Sequence, residues 1–159
     1  MATITVLTVG SLKEGYLREA VAEYKKRLSQ YAKVEEIELK EEKISNEDDR
    51  SEIERALLKE GEKILASIPK GSVTVALCVE GKQRTSEELA GLLQDAIDSC
   101  GRLTLVIGSS HGLCKRVKEA CDHRLSFSKL TFPHQLMKVV VMEAMYRSFT
   151  IIHGKRYHK

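Results

Sequence analysis

No apolar run in this sequence approaches the roughly 18 residues that a bilayer span needs. The amino terminus also lacks a basic stretch followed by a long apolar one, so a secreted or membrane-anchored protein is not expected. Cysteine is scarce. Cys78, Cys100, Cys114 and Cys121 form no Cys-x-x-Cys pair, and Cys78 and Cys100 sit in or beside apolar runs. That pattern predicts reduced thiols in a cytoplasmic protein and argues against a disulfide scaffold. There is no internal repeat and no Gly-x-Gly-x-x-Gly after the first predicted strand, which excludes a simple dinucleotide fingerprint. Tryptophan is absent. What remains is a chain of 159 residues, 42% apolar and 31% charged, long enough for one compact domain with a real core.

The formal net charge of +3 hides an asymmetry. Residues 1–110 carry 16 Lys/Arg against 20 Asp/Glu, whereas residues 111–159 carry 10 against 3 and hold all 5 histidines. An acidic body with a basic last third suits a polyanionic partner approached from that end.

Hydrophobic periodicity alternates between strand and helix along the chain. Strands are predicted at 2–9, 34–39, 72–79, 103–107 and near 124–127, with helices at 14–31, 51–68, 86–100, around 117–120 and 133–149. Residues 40–50 (KEEKISNEDDR) read as a mobile charged loop. The result is an α/β fold with a mainly parallel sheet and helices on both faces. Ligands in such sheets bind at the carboxyl ends of strands, here the loops after Val79, Ile107 and Phe127. The last helix carries Leu136, Met137, Val139, Val140, Val141, Met142, Ala144 and Met145 almost all round its axis. A helix that apolar must be covered on two sides, and a subunit interface is expected there.

Three constellations carry chemistry. Gly108-Ser109-Ser110-His111-Gly112 fits Gly-x-Ser-x-Gly between a strand and a helix. It allows a hydrolase elbow with Ser110 as nucleophile and Asp122 with His134 or His153 as partners. The simpler use of its glycines is a close backbone approach to a ligand. His111 with Cys114, and Cys121 with His123, lack zinc-site spacing, so no metal is expected. The terminal run Ile151-Ile152-His153-Gly154-Lys155-Arg156-Tyr157-His158-Lys159 groups an aromatic ring, imidazole and several cations. Those are the parts that stack a base, hold phosphate and move a proton.

Several segments together resemble one known family. Phe127-Ser128-Lys129-Leu130-Thr131-Phe132-Pro133-His134-Gln135 is similar to the signature FSxxTFPHQ. Leu105-Val106-Ile107-Gly108 resembles its glycine loop after a strand, and Tyr146-Arg147 with Tyr157-His158-Lys159 resembles its carboxyl end. Thr8-Val9-Gly10 and Glu23-Tyr24-Lys25-Lys26-Arg27-Leu28 extend the likeness to the amino-terminal half. The family is that of ribosomal RNA large subunit methyltransferase H, SPOUT-class enzymes that methylate N3 of a pseudouridine in large-subunit (23S) rRNA. One departure is visible: Ser109 stands where the family usually has a second glycine.

The resemblance implies a single SPOUT domain over residues 1–159, with a cofactor region of about 72–159 that ends in a trefoil knot. It implies S-adenosylmethionine held by Leu77, Gly108, Phe127, Ser128, Lys129, Leu130, Thr131 and Phe132. It also implies a homodimer whose site is completed by the partner's tail, acting on rRNA or the ribosome. His158 is the expected base, Arg147 the stabiliser of the anionic nucleobase, and Tyr157 its stacking or positioning partner. Glu143, four residues before Arg147, is placed to orient the guanidinium.

Overall fold

The computed structural model describes all 159 residues. Its strands are β1 (Ala2–Val9), β2 (Ala32–Leu39), β3 (Val73–Gln83), β4 (Arg102–Ile107) and β5 (His123–Ser126). Between and after them run α1 (Gly15–Leu28), α2 (Arg50–Ser67), α3 (Ser86–Cys100), α4 (Lys115–Ala120) and α5 (His134–Ile152). The strands form one sheet in the order β2-β1-β4-β3-β5, and every pairing is parallel.

Both faces of that sheet are covered, which is why its central strands are almost continuously apolar. Successive residues of β1 and β4 feed opposite cores. Ile4, Val6, Leu103 and Leu105 join one cluster with Leu28, Leu93, Met142 and Phe149. Leu7, Val9 and Val106 join the other with Ile64 of α2 and Val117 of α4. On the first face α5 packs between α1 and α3. Much of its excess apolar surface is therefore spent inside one protomer: Val141, Met142, Met145 and Phe149 are buried there, while Leu136 stays exposed.

Local chemistry explains the helix starts. The Asp49 carboxylate accepts from the backbone N–H groups of Ser51 and Glu52, and Thr85 Oγ1 accepts from Glu88 N at 3.1 Å. Pro133 occupies the cap of α5, so the helix begins at His134. The expected mobile loop is fastened along its length. Ser45 N and Oγ donate to Glu52, and Lys63 pairs with Glu42 at 2.6 Å.

β3 is longer than its apolar run because the strand buckles. Leu77 and Lys82 both register with Leu125, so residues 78–81 are pushed out of the ladder between them. Gly81 permits this: a Cβ there would stand 2.7 Å from the Leu125 carbonyl carbon.

Candidate active site

The carboxyl ends of β3, β4 and β5 surround a cavity of about 630 Å³, within the size range of small-molecule sites. Leu77, Ile107, Leu125, Phe127 and Met137 supply its apolar lining, and the loop Gly108–Gly112 supplies polar backbone and hydroxyls. The buckled residues Cys78, Val79 and Glu80 line it as well. Of the residues expected to hold a cofactor, Leu77, Gly108, Phe127, Ser128, Leu130, Thr131 and Phe132 line this cavity; Lys129 does not and is exposed.

Gly108 has no space for a side chain, because a Cβ would fall on the carbonyl oxygen of Gly112. The constraint is internal to the loop, where Ser109 and Gly112 form a bridge and Gly112 N donates to Ser109 O at 2.8 Å. Beneath the loop lies Glu60 of α2, only 4% exposed. Its Oε1 accepts from Ser109 Oγ at 3.0 Å and its Oε2 from Glu42 N at 2.9 Å. Burial raises the Glu60 pKa above the ordinary glutamate value, against the pull of those two donors. Sequence periodicity missed this residue because a glutamate in a charged helix reads as solvated.

The hydrolase arrangement does not form. Ser110 Oγ donates to Glu41 Oε1 at 3.2 Å, and Asp122 Oδ2 accepts from Thr74 N at 2.9 Å and Thr74 Oγ1 at 3.1 Å. The two candidates thus have separate partners, neither of them histidine. His111 sits 2.7 Å from Glu47.

The other expected site residues gather elsewhere. Arg147 donates to Glu143 Oε1 through Nε at 3.0 Å and Nη2 at 2.6 Å, the i,i+4 pairing expected from sequence. Tyr157 OH donates to the same oxygen at 3.1 Å, and the guanidinium lies 4.7 Å from the Tyr157 ring centroid. Burial first, and then the Glu143 carboxylate, push the Tyr157 phenol up to about 12. Its proton therefore stays on, and Tyr157 is a donor at neutral pH. His158 faces Arg147 Nη1 through Nδ1 at 3.2 Å and Glu87 Oε1 through Nε2 at 2.8 Å. Glu87, from the first turn of α3, is the member of this cluster that sequence reasoning did not find.

None of Arg147, Tyr157 and His158 lines the cavity of its own chain. His134, at the start of α5, does. At ~1.5 Å of rise per residue, Arg147 stands about 20 Å farther along that helix. The cavity and the Arg147–Tyr157–His158 cluster therefore lie toward opposite ends of α5.

Similarity to known proteins fits this geometry. The family model described as "Predicted SPOUT methyltransferase" matches residues 2–158. A protein of Shouchella clausii named ribosomal RNA large subunit methyltransferase H is 46% identical over 157 residues, covering 98% of this chain and 99% of that one. Its namesake in Caldicellulosiruptor saccharolyticus is 47% identical over 156 residues, with the same two coverages. Among solved structures, a probable methylase family protein from Haemophilus influenzae shares the fold with a TM-score of 0.56 and 12% identity, covering 98% of this chain and 70% of that one. The matched family spans nearly every residue from β1 to the tail cluster, and the chain belongs to the SPOUT methyltransferases.

Proposed function

We propose that this chain transfers a methyl group from S-adenosylmethionine to N3 of a pseudouridine in large-subunit ribosomal RNA, working in the cytoplasm as a homodimer. The observation that carries the reading is that residues 127–135, the segment resembling FSxxTFPHQ, wrap the cavity at the strand ends and contribute seven of its lining residues. The cavity suits the cofactor: Leu77, Ile107, Leu125 and Phe127 offer an apolar slot for an adenine ring, and Gly108 lets the loop fold tightly onto Gly112 at the cavity's edge. When bound, S-adenosylmethionine supplies an electrophilic sulfonium methyl.

The protein's own residues must then expose a nucleophile. N3 of the nucleobase bears a proton, and its lone pair attacks carbon only as that proton leaves. His158 Nδ1 faces a group that can only donate, so in this mechanism it is the nitrogen placed to take the N3 proton. In this mechanism Arg147 turns its Nη1–H from the imidazole to the uracil oxygen on which negative charge develops. Glu143 anchors the other edge of the guanidinium, and Tyr157 packs against its face. Lys155, Arg156 and Lys159, exposed in the tail, hold backbone phosphates.

A dimer joins the half-sites. Leu136, Val140, Glu143 and Arg147 follow one another at spacings of three and four along α5, so they share a stripe from the cavity end to the tail end. Two copies packed antiparallel along that stripe lay each tail cluster over the other's cavity. The cofactor region remains about 72–159 of one domain, with α5 tucked through a loop as a trefoil knot.

The deciding experiment is transfer of labelled methyl from S-adenosylmethionine to ribosomes with and without the pseudouridine. Incorporation only when the pseudouridine is present is the expected result. Incorporation into both substrates would reject the acceptor, and incorporation into neither would reject the activity.

A further inference from the structure

Three successive residues of the cavity loop each meet a different glutamate. Ser109 meets Glu60, Ser110 meets Glu41 and His111 meets Glu47. The last two contacts sit near the surface, where such bonds contribute little. The first is buried, and its carboxyl group is satisfied by a hydroxyl and a backbone N–H rather than by a cation. Methyl transfer itself makes no use of a buried acid on the far side of the loop.

We infer that Glu60 is a positioning residue for the cofactor loop, seating Gly108–Gly112 through Ser109 and locking it to the 40–49 segment through the Glu42 N–H. This inference rests on the cavity being the S-adenosylmethionine site. α2 grips the loop at two points. One residue after Glu60, Gly61 is pressed so closely on the chain leaving the loop that a Cβ would stand 2.5 Å from Cys114 Sγ. Ser109 and Cys114 thus bracket the loop, and both rest on the same turn of α2. With Gly112 N already bonded to Ser109 O, holding Ser109 sets the direction of the whole turn. Where the family usually has glycine, this chain gains a hydroxyl that reaches the buried acid.

The test uses the full-length chain with Glu60→Ala, Glu60→Gln and Ser109→Ala, each read by titration calorimetry with S-adenosylmethionine and by steady-state kinetics. Glu60→Ala leaves the buried Ser109 hydroxyl and the half-buried Glu42 N–H unpaired and is expected to weaken cofactor binding about tenfold or more. It should raise KM for the cofactor while kcat stays within about twofold, the signature of binding lost equally in ground and transition states. The glutamine variant can accept from Glu42 N–H and donate to Ser109 Oγ, so it should bind within about threefold of the parent. Ser109→Ala should weaken binding less than Glu60→Ala and add little to it in the double variant.

Amide exchange at Gly112 in the free protein supplies a readout that needs no cofactor and should quicken in Glu60→Ala. Unchanged exchange there, or a glutamine variant as impaired as alanine, overturns the inference. If the parent chain itself binds no S-adenosylmethionine, the cavity assignment falls, and Gly112 exchange alone decides whether Glu60 seats the loop. Should Glu60→Ala not fold, Glu60→Gln and Ser109→Ala still separate the outcomes: both indistinguishable from the parent is a rejection.

Discussion

Arg147 Nη1 lies 3.2 Å from His158 Nδ1, and a guanidinium has no lone pair to offer. The imidazole proton therefore resides on Nε2, where it is donated to Glu87 Oε1 at 2.8 Å. The Nδ1 lone pair of His158 is thus directed at the Arg147 guanidinium. Replacing Arg147 by alanine removes the group proposed to stabilise the uracil anion. It should lower the single-turnover rate by about 10²-fold, a magnitude typical of losing one oxyanion donor. Affinity for S-adenosylmethionine should stay unchanged by calorimetry, because Arg147 is proposed to act on the nucleobase and not on the cofactor held by the strand-end loops. A variant with the parent's rate would remove Arg147 from the chemistry.

The proposed sharing of one site between two chains makes complementation a direct test. Deletion of residues 157–159 should abolish methyl transfer and leave cofactor binding largely intact, because the tail is proposed to act on the nucleobase while the loops of one chain line the cofactor cavity. Gly108→Val should do the reverse by driving a side chain into Gly112. Co-refolding equal amounts of the two inactive chains should restore activity to about a quarter of the parent's, as random pairing into symmetric dimers dictates. No recovery, together with a solution mass equal to one 17.9 kDa chain, would eliminate the shared site.

Tyr157 provides a spectroscopic handle at high pH. Its phenol is pushed up to about 12, from an ordinary value near 10. A folded-state pKa raised in this way contributes stability that is fully present below about pH 10 and lost as pH rises through about 12. The tyrosinate absorbance of the native protein should therefore lack one residue's signal between those limits. Tyr157→Phe should remove that late-titrating phenol and flatten the corresponding loss of stability. A native titration with all 5 tyrosines ionising together near pH 10 would contradict the burial of Tyr157.

Acid stability should depend on Lys138. This lysine is 2% exposed and sits 2.8 Å from Glu36 and 3.2 Å from Glu38. Burial alone would raise the Glu36 pKa, but Lys138 and Lys25 together hold it below the usual value. A depressed carboxylate contributes stability that is present above its unfolded pKa and lost as pH falls through the folded one. The parent should therefore weaken below about pH 4.3, the ordinary glutamate value. Lys138→Ala should cost about 2–3 kcal/mol at pH 7, less than for a fully buried pair because both carboxylates reach solvent. Denaturant melts at pH 7 and pH 3.5 measure both effects, and the variant should lose less on acidification than the parent.

The element pattern was legible because each element buries a face at its own period. The nearly continuous apolar run at 72–79 reads as a strand covered on both faces, and β3 indeed sends Val75 into one core and Ala76 into the other. The spacing through Ile53, Leu57 and Ile64 drew α2 to within a residue of its ends. Other features carry no local signal. The buckle at residues 78–81 depends on the backbone of β5, some 40 residues away, lying against Gly81. Glu60 looks like any surface acid until β4, the 40–49 segment and α2 converge on it. The surplus of apolar residues on α5 is real, but α1 and α3 cover most of it.

From sequence alone came the parallel α/β sheet, the cavity at the carboxyl ends of its strands, and the residue types able to activate a nucleobase. Those follow from periodicity and side-chain chemistry, which neighbouring residues encode. Folding in three dimensions decided that Arg147 and the cavity-lining His134 stand about 20 Å apart along one helix. It also decided that His158 leans on Glu87, 71 residues distant in sequence. Such contacts depend on where whole elements come to rest against one another, and no local pattern specifies that.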